Sequence, residues 1–185
     1  MIEEILADAK LRMGKSAESV ASEFSRIRTG RASTALLDHI QVDYYGSSVP
    51  VAQAATVSVG DARTLVIQAW EKNMIPIIEK SIIESDLGLN PVTAGEVIRI
   101  PLPALTEERR KEMTKLVRHE GENGKIAVRN IRRDALGDLR EMVKEKLIGE
   151  DDEKRAEAQI QGFTDHSVAK IDALVEEKEA EVMEV

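Results

Sequence analysis

The sequence contains no cysteine, and only 3% of its 185 residues are aromatic. The missing cysteines exclude disulfide bonds and thiolate metal sites. No apolar run reaches the roughly 20 residues that a membrane-spanning helix needs. Residues 1–10 mix acidic with apolar side chains, unlike the basic and then apolar pattern of a signal peptide. We therefore expect a cytoplasmic protein with no membrane partner.

Residue patterns for catalysis or metal binding are also missing. His39, His119 and His166 are far apart in the chain and lack the spacing of metal ligands. Gly14-Lys15-Ser16 resembles the end of a phosphate-binding loop, but Ala9 stands where that loop requires its first glycine. We predict that the protein is not an enzyme, has no catalytic residue, and holds neither a metal ion nor a cofactor.

One long segment, residues 106–148, has helical periodicity on two faces. Its apolar residues recur every three or four positions, which predicts one buried stripe. These residues are Met113, Val117, Val128, Ile131, Ala135, Leu139 and Met142. On another side, basic residues recur at similar steps along about 30 Å of helix. This basic stripe comprises Lys111, Lys115, Arg118, Lys125, Arg129 and Arg132. It is either a surface that binds phosphates or an ordinary solvated helix face.

The net charge of −8 conceals an uneven distribution. Residues 106–135 contain nine Lys and Arg against six Asp and Glu, whereas residues 136–185 contain seven against fifteen. The first segment is therefore locally basic, which is what phosphate binding requires.

The remaining segments predict an α+β protein. Residues 2–27 and 152–185 have helical spacing, so three amphipathic helices should form a bundle built from the two ends of the chain. Between them, residues 31–104 predict a small inserted unit with short strands and one helix. We expect strands near 40–44, 57–59, 65–70 and 97–100, and the helix over 74–85.

Two glycines make it undecided from the sequence whether the long segment is one helix or two. Gly121 and Gly124 together cost about 2 kcal/mol of helix propensity. The segment is therefore either one continuous helix or two antiparallel helices joined there. Gly149 is predicted to end it, with Asp151 or Asp152 beginning the next helix.

The octapeptide 128–135 is the most specific functional signal. Arg129, Arg132 and Arg133 lie outside the predicted apolar stripe, and arginine favours bidentate phosphate contacts. Asp134 is placed to orient one of these guanidinium groups. The scarcity of aromatic side chains for base stacking favours structured RNA as the target.

Five motifs follow one another along the whole chain. They are Ile27–Ala32, Tyr44–Gly46, Ser85–Pro91, Pro101–Pro103 with Leu105–Lys111, and Val128–Ala135. In this order they resemble the bacterial ribosome recycling factors. Residues 119–124, with their two glycines, depart from the strong helix formers usual in that family.

The resemblance implies an L-shaped monomer with the outline of a transfer RNA. A three-helix bundle formed by residues 1–30 and 105–185 would be joined flexibly to a small β/α/β domain, residues 31–104. The implied function is to split post-termination ribosomes into subunits together with elongation factor G, which hydrolyses GTP. The small domain would meet that partner.

The resemblance also implies roles for individual residues. Arg132 would be the leading contact to large-subunit ribosomal RNA, with Arg129 and Arg133 beside it. Further RNA-binding candidates are Arg28 and Arg31 and, from the basic stripe, Lys125, Arg118 and Lys111. The two short chain crossings would form the hinge, with Gly30, Arg31, Pro101, Leu102, Pro103 and Ala104. The alternative class is a helical scaffold or co-chaperone with no RNA role.

Overall fold

The computed structural model describes residues 1–27 and 29–184. Four α-helices and six β-strands lie within these residues, which confirms the predicted α+β class. In chain order they are α1 (Ile2–Ser25), β1 (Gln41–Tyr44), β2 (Ser47–Pro50), β3 (Ala55–Asp61), β4 (Thr64–Ala69), α2 (Ile75–Ile83), β5 (Val92–Ala94), β6 (Val97–Pro101), α3 (Glu107–Lys144) and α4 (Glu150–Met183). Within the same residues, no helix combines the length and the apolar character needed to span a membrane.

The chain divides into two compact units, Met1–Thr29 with Glu107–Glu184 and Gly30–Thr106. In the first unit, α1, α3 and α4 form the predicted bundle, because each helix contributes one apolar stripe to a shared core. Fully buried members of this core include Met13, Leu139, Ile160 and Ile171. Burying each such side chain stabilises the bundle by about 1.5–3 kcal/mol.

Gly121 and Gly124 do not break the long helix, so the alternative of two antiparallel helices is wrong. Both glycines are buried against neighbouring helices. A Cβ atom at Gly124 would lie 2.3 Å from Val20 Cγ2 on α1, and one at Gly121 would lie 2.4 Å from Val175 Cγ2 on α4. The missing side chains therefore allow the three helices to approach closely, and this packing offsets their low helix propensity.

The helix ends differ from the predictions. Helix α3 ends at Lys144, before the predicted Gly149. Just after this end, Lys146 has a φ of +59°, and the Leu147 N–H donates to the Met142 carbonyl at 2.9 Å. This pairing satisfies a terminal carbonyl without a glycine. Gly149 instead precedes α4 in extended conformation. Helix α1 likewise ends at Ser25, earlier than expected.

The second unit has two antiparallel sheets around a shared core with α2. One is the β1–β2 hairpin, and the other has four strands in the order β3-β4-β6-β5. The core residues in β4, β6 and α2 include Leu65, Ile67, Ile98, Ile100, Ile78 and Ile82. All four predicted strands are present. Strands β2 and β5 were not predicted because they have no buried residue alternating with exposed ones.

Candidate nucleic-acid interface

Carboxylates accompany the first part of the basic stripe on α3. Lys111 Nζ lies 3.1 Å from Glu107 Oε1, one helical turn earlier. Arg118 Nε lies 2.5 Å from Glu179 Oε1 on α4, and Lys115 between them is exposed. Such exposed pairs add little to stability, but they lower the positive potential of the surface.

Four charged groups form a network in the middle of the stripe. Arg129 Nη1 donates to Glu122 Oε1 at 3.0 Å. Lys125 Nζ lies 2.8 Å from Asp172 Oδ1 on α4 and 3.5 Å from Glu122 Oε2. The hydrogen bond from Arg129 lowers the pKa of Glu122, and the hydrogen bond to Asp172 raises the pKa of Lys125. Both shifts favour the charged forms, so the two cations and two anions compensate one another.

Beyond this network lies an arginine pair, Arg132 and Arg133, that bonds to amides instead of carboxylates. Arg132 Nη1 donates to Gln161 Oε1 on α4 at 3.2 Å. Arg133 Nη2 donates to Asn130 Oδ1 at 2.9 Å. In the part of the chain that the structure describes, neither guanidinium has a carboxylate within ion-pairing distance. The amides orient these groups without cancelling their charge, which suits bidentate contact with phosphate.

The sequence predicted the wrong partner for Asp134. Asp134, expected to orient a guanidinium of the octapeptide, instead lies 3.6 Å from Arg12 Nη2 because its side of α3 faces α1. Asn130 could have been found from its position three residues before Arg133 on the same helix. Gln161 could not, since its partner is 29 residues away on another helix.

The other two arginine candidates lie away from the octapeptide in the sequence. Arg28 is outside the described residues. Arg31 is exposed in the second unit, next to Gly30, which has a φ of +77°. A Cβ atom at Gly30 would lie 3.3 Å from Leu105 Cγ, so Gly30 packs against the residue that follows the second chain crossing.

The remaining hinge candidates differ in how firmly they are held. Pro101 is the last residue of β6, and the Leu102 N–H donates to the Arg63 carbonyl at 2.7 Å. These two residues are thus part of the sheet unit. Pro103 and Ala104 are exposed and belong to no helix or strand.

The fold and this surface together define a class of protein: a three-helix bundle, interrupted by a small β/α/β unit, that presents uncancelled arginine charge. A family model described as ribosome recycling factor matches residues 20–183. The chain is 55% identical to the ribosome-recycling factor of Legionella pneumophila strain Paris and 56% identical to that of Thioalkalivibrio sulfidiphilus, over 100% of both chains in each comparison. The chain belongs to the ribosome recycling factor family.

Two solved structures align with this chain over its full length. The solution structure of the ribosome recycling factor has a TM-score of 0.79 at 44% identity, covering 100% of this chain and 98% of that one. A second structure presents models for the T. thermophilus ribosome recycling factor and the E. coli elongation factor G bound to the E. coli post-termination complex. Its recycling factor has a TM-score of 0.65 at 48% identity, with 100% of both chains covered.

Proposed function

We propose that this protein splits post-termination ribosomes into subunits in the cytoplasm, together with elongation factor G, which hydrolyses GTP. Family membership and the complex containing elongation factor G support this proposal. The protein itself would act by binding and would catalyse no reaction. The observation that favours an RNA-binding bundle is the arginine pair, whose guanidinium groups bond to neutral amides.

In this proposal, Arg132 and Arg133 make the principal contacts to large-subunit ribosomal RNA. A guanidinium offers two parallel N–H groups to a phosphate, and its charge strengthens both hydrogen bonds. Arg129, Lys125, Arg118 and Lys111 would contribute less, because each must first exchange a carboxylate for the phosphate. Arg28 and Arg31 remain additional candidates for contacts near the end of the bundle.

The two units would have separate roles in an L-shaped monomer. Residues 1–30 and 105–185 would anchor the protein on the ribosome, and residues 31–104 would meet elongation factor G. The partner would move this small domain about the hinge at Gly30–Arg31 and Pro101–Ala104. A covalent cross-link between the two domains is expected to preserve ribosome binding and abolish splitting. Splitting by the cross-linked protein would exclude rotation about the hinge as the working step.

Subunit separation, followed by light scattering, tests the function. Purified post-termination ribosomes are mixed with the protein, elongation factor G and GTP, and Arg132→Ala is assayed beside the wild type. Arg155→Ala is a matched control, since Arg155 is an exposed arginine of α4 that pairs with Asp152 at 2.9 Å. We expect splitting by the wild type and the control and a severe loss in Arg132→Ala. Splitting by all three would remove Arg132 from the site, and splitting by none would contradict the function.

A helical scaffold without an RNA role is the second candidate. The specific observation in its favour is that most of the basic stripe already pairs with carboxylates. Salt distinguishes the two, because binding through several phosphates weakens steeply as the salt concentration rises. A scaffold that contacts a protein surface would show a shallow dependence.

A further inference from the structure

We infer that Gln161 is a positioning residue that prevents Asp165 from neutralising Arg132, and so preserves a cationic site for phosphate. This inference rests on the proposed function, in which Arg132 contacts ribosomal RNA. It concerns two residues of α4 that the spacing of the basic residues on α3 does not reveal.

The pairing of α3 with α4 follows a regular register. Arg118 pairs with Glu179, and Lys125 pairs with Asp172. Seven residues forward along α3 thus correspond to seven residues backward along α4, as expected for antiparallel neighbours. One further step predicts that Arg132 pairs with Asp165.

That third ion pair is not formed. Arg132 Nη1 donates to Gln161 Oε1 at 3.2 Å, and Gln161 Nε2 donates to Asp165 Oδ1 at 2.8 Å. The amide has one acceptor and one donor end, so each end meets the partner that suits it. Gln161 therefore lies between the two charged groups. It donates a hydrogen bond to Asp165, the carboxylate that the register places opposite Arg132, and it gives the guanidinium a neutral acceptor instead.

The consequence is electrostatic. A direct pair with Asp165 would cancel the charge of Arg132, as Glu179 and Asp172 do for their partners. An incoming phosphate would then have to displace the carboxylate. With Gln161 in place, the guanidinium is held in position and keeps its attraction for an anion.

Removing the amide should let the two charged groups pair. We expect Gln161→Ala to weaken binding of the full-length protein to purified large ribosomal subunits by about fivefold, the strength of an exposed ion pair that competes with phosphate. The salt dependence of binding should also become shallower by about one phosphate contact. Gln159→Ala, an exposed glutamine on the same helix, should bind as the wild type does.

A second substitution separates this role from a simple structural one. Asp165→Asn removes the competing carboxylate, so Gln161→Ala with Asp165→Asn should regain at least most of the wild-type affinity and salt dependence. If Gln161 only buttressed Arg132 mechanically, the double variant would stay weak, and that result would overturn the inference. Wild-type affinity in Gln161→Ala would overturn it as well.

Arg132→Ala distinguishes failure of this inference from failure of the proposed site. Weak binding by Arg132→Ala with full binding by Gln161→Ala rejects the shielding role alone. Full binding by Arg132→Ala rejects both. Gln161 and Asp165 are exposed, so thermal unfolding should be nearly unchanged, and circular dichroism checks that each variant is folded.

Discussion

The two parts of the cationic surface on α3 differ in what lies beside them. From Lys111 to Arg129, four of the five basic side chains pair with a carboxylate of α3 or α4. Arg132 and Arg133 bond to amides. Spacing along one helix makes the two parts look equivalent. The difference teaches that the charge available to a ligand depends on the neighbouring helix as much as on the basic residues themselves.

The largest expected effect is a loss of stability when the helix packing beneath the first part of the surface, from Lys111 to Arg129, is disrupted. Gly124→Leu should lower the free energy of unfolding by about 3 kcal/mol, because the new side chain must displace Val20 and Ile171. Gly137→Leu is the matched control, since a Cβ atom there meets nothing within 4 Å. Urea denaturation measures both. Equal stability of the two variants would contradict the close-packing role of Gly124.

A smaller effect on RNA binding is expected when a carboxylate is removed from the first part of the surface, which makes its charge more like that of Arg132 and Arg133. Glu122→Gln removes the carboxylate shared by Arg129 and Lys125, and so releases positive charge onto the surface. We expect binding to large ribosomal subunits to tighten by about twofold to threefold at low salt. Glu120→Gln, on the same helix, provides the control for the change in net charge. If both variants gain equally, local pairing does not distinguish the two parts.

The smallest expected effect is on the pH dependence of the free energy of unfolding. Folding lowers the pKa of Glu122 below its usual value of 4.5, so the charged carboxylate stabilises the fold at any pH above 4.5. This stabilisation is lost as the pH falls through the lower pKa of the folded protein. The stability difference between the wild type and Glu122→Gln should therefore shrink between pH 7 and pH 3. Urea unfolding at several pH values measures it, and a constant difference would show that the carboxylate charge contributes nothing.

Periodicity predicted most of the fold. The bundle, the inserted unit and four strands follow from apolar spacing, because buried faces repeat every two or three to four residues. Spacing could not reveal β5, whose three residues are all exposed. It also could not show that Gly121 and Gly124 face other helices, since that depends on how the bundle packs.

The candidate site was predictable only in part. Arginine spacing in residues 128–135 indicated Arg129, Arg132 and Arg133, but it ranked them together. Arg129 differs from Arg132 in its hydrogen-bond partner: Arg129 bonds to the carboxylate of Glu122 within α3, and Arg132 bonds to the amide of Gln161 across the α3–α4 interface. The second contact joins distant parts of the sequence and follows only from the register between two helices.

The most direct test compares the salt dependence of binding to large ribosomal subunits for Arg132→Gln and Arg118→Gln. Each substitution removes one positive charge from α3, so their effects on net charge are the same. We expect Arg132→Gln to reduce the slope of log affinity against log salt by about one, and Arg118→Gln to reduce it by clearly less, because Arg118 must first release Glu179. Equal reductions in the two variants would contradict the claim that pairing across the helices decides which cations meet RNA.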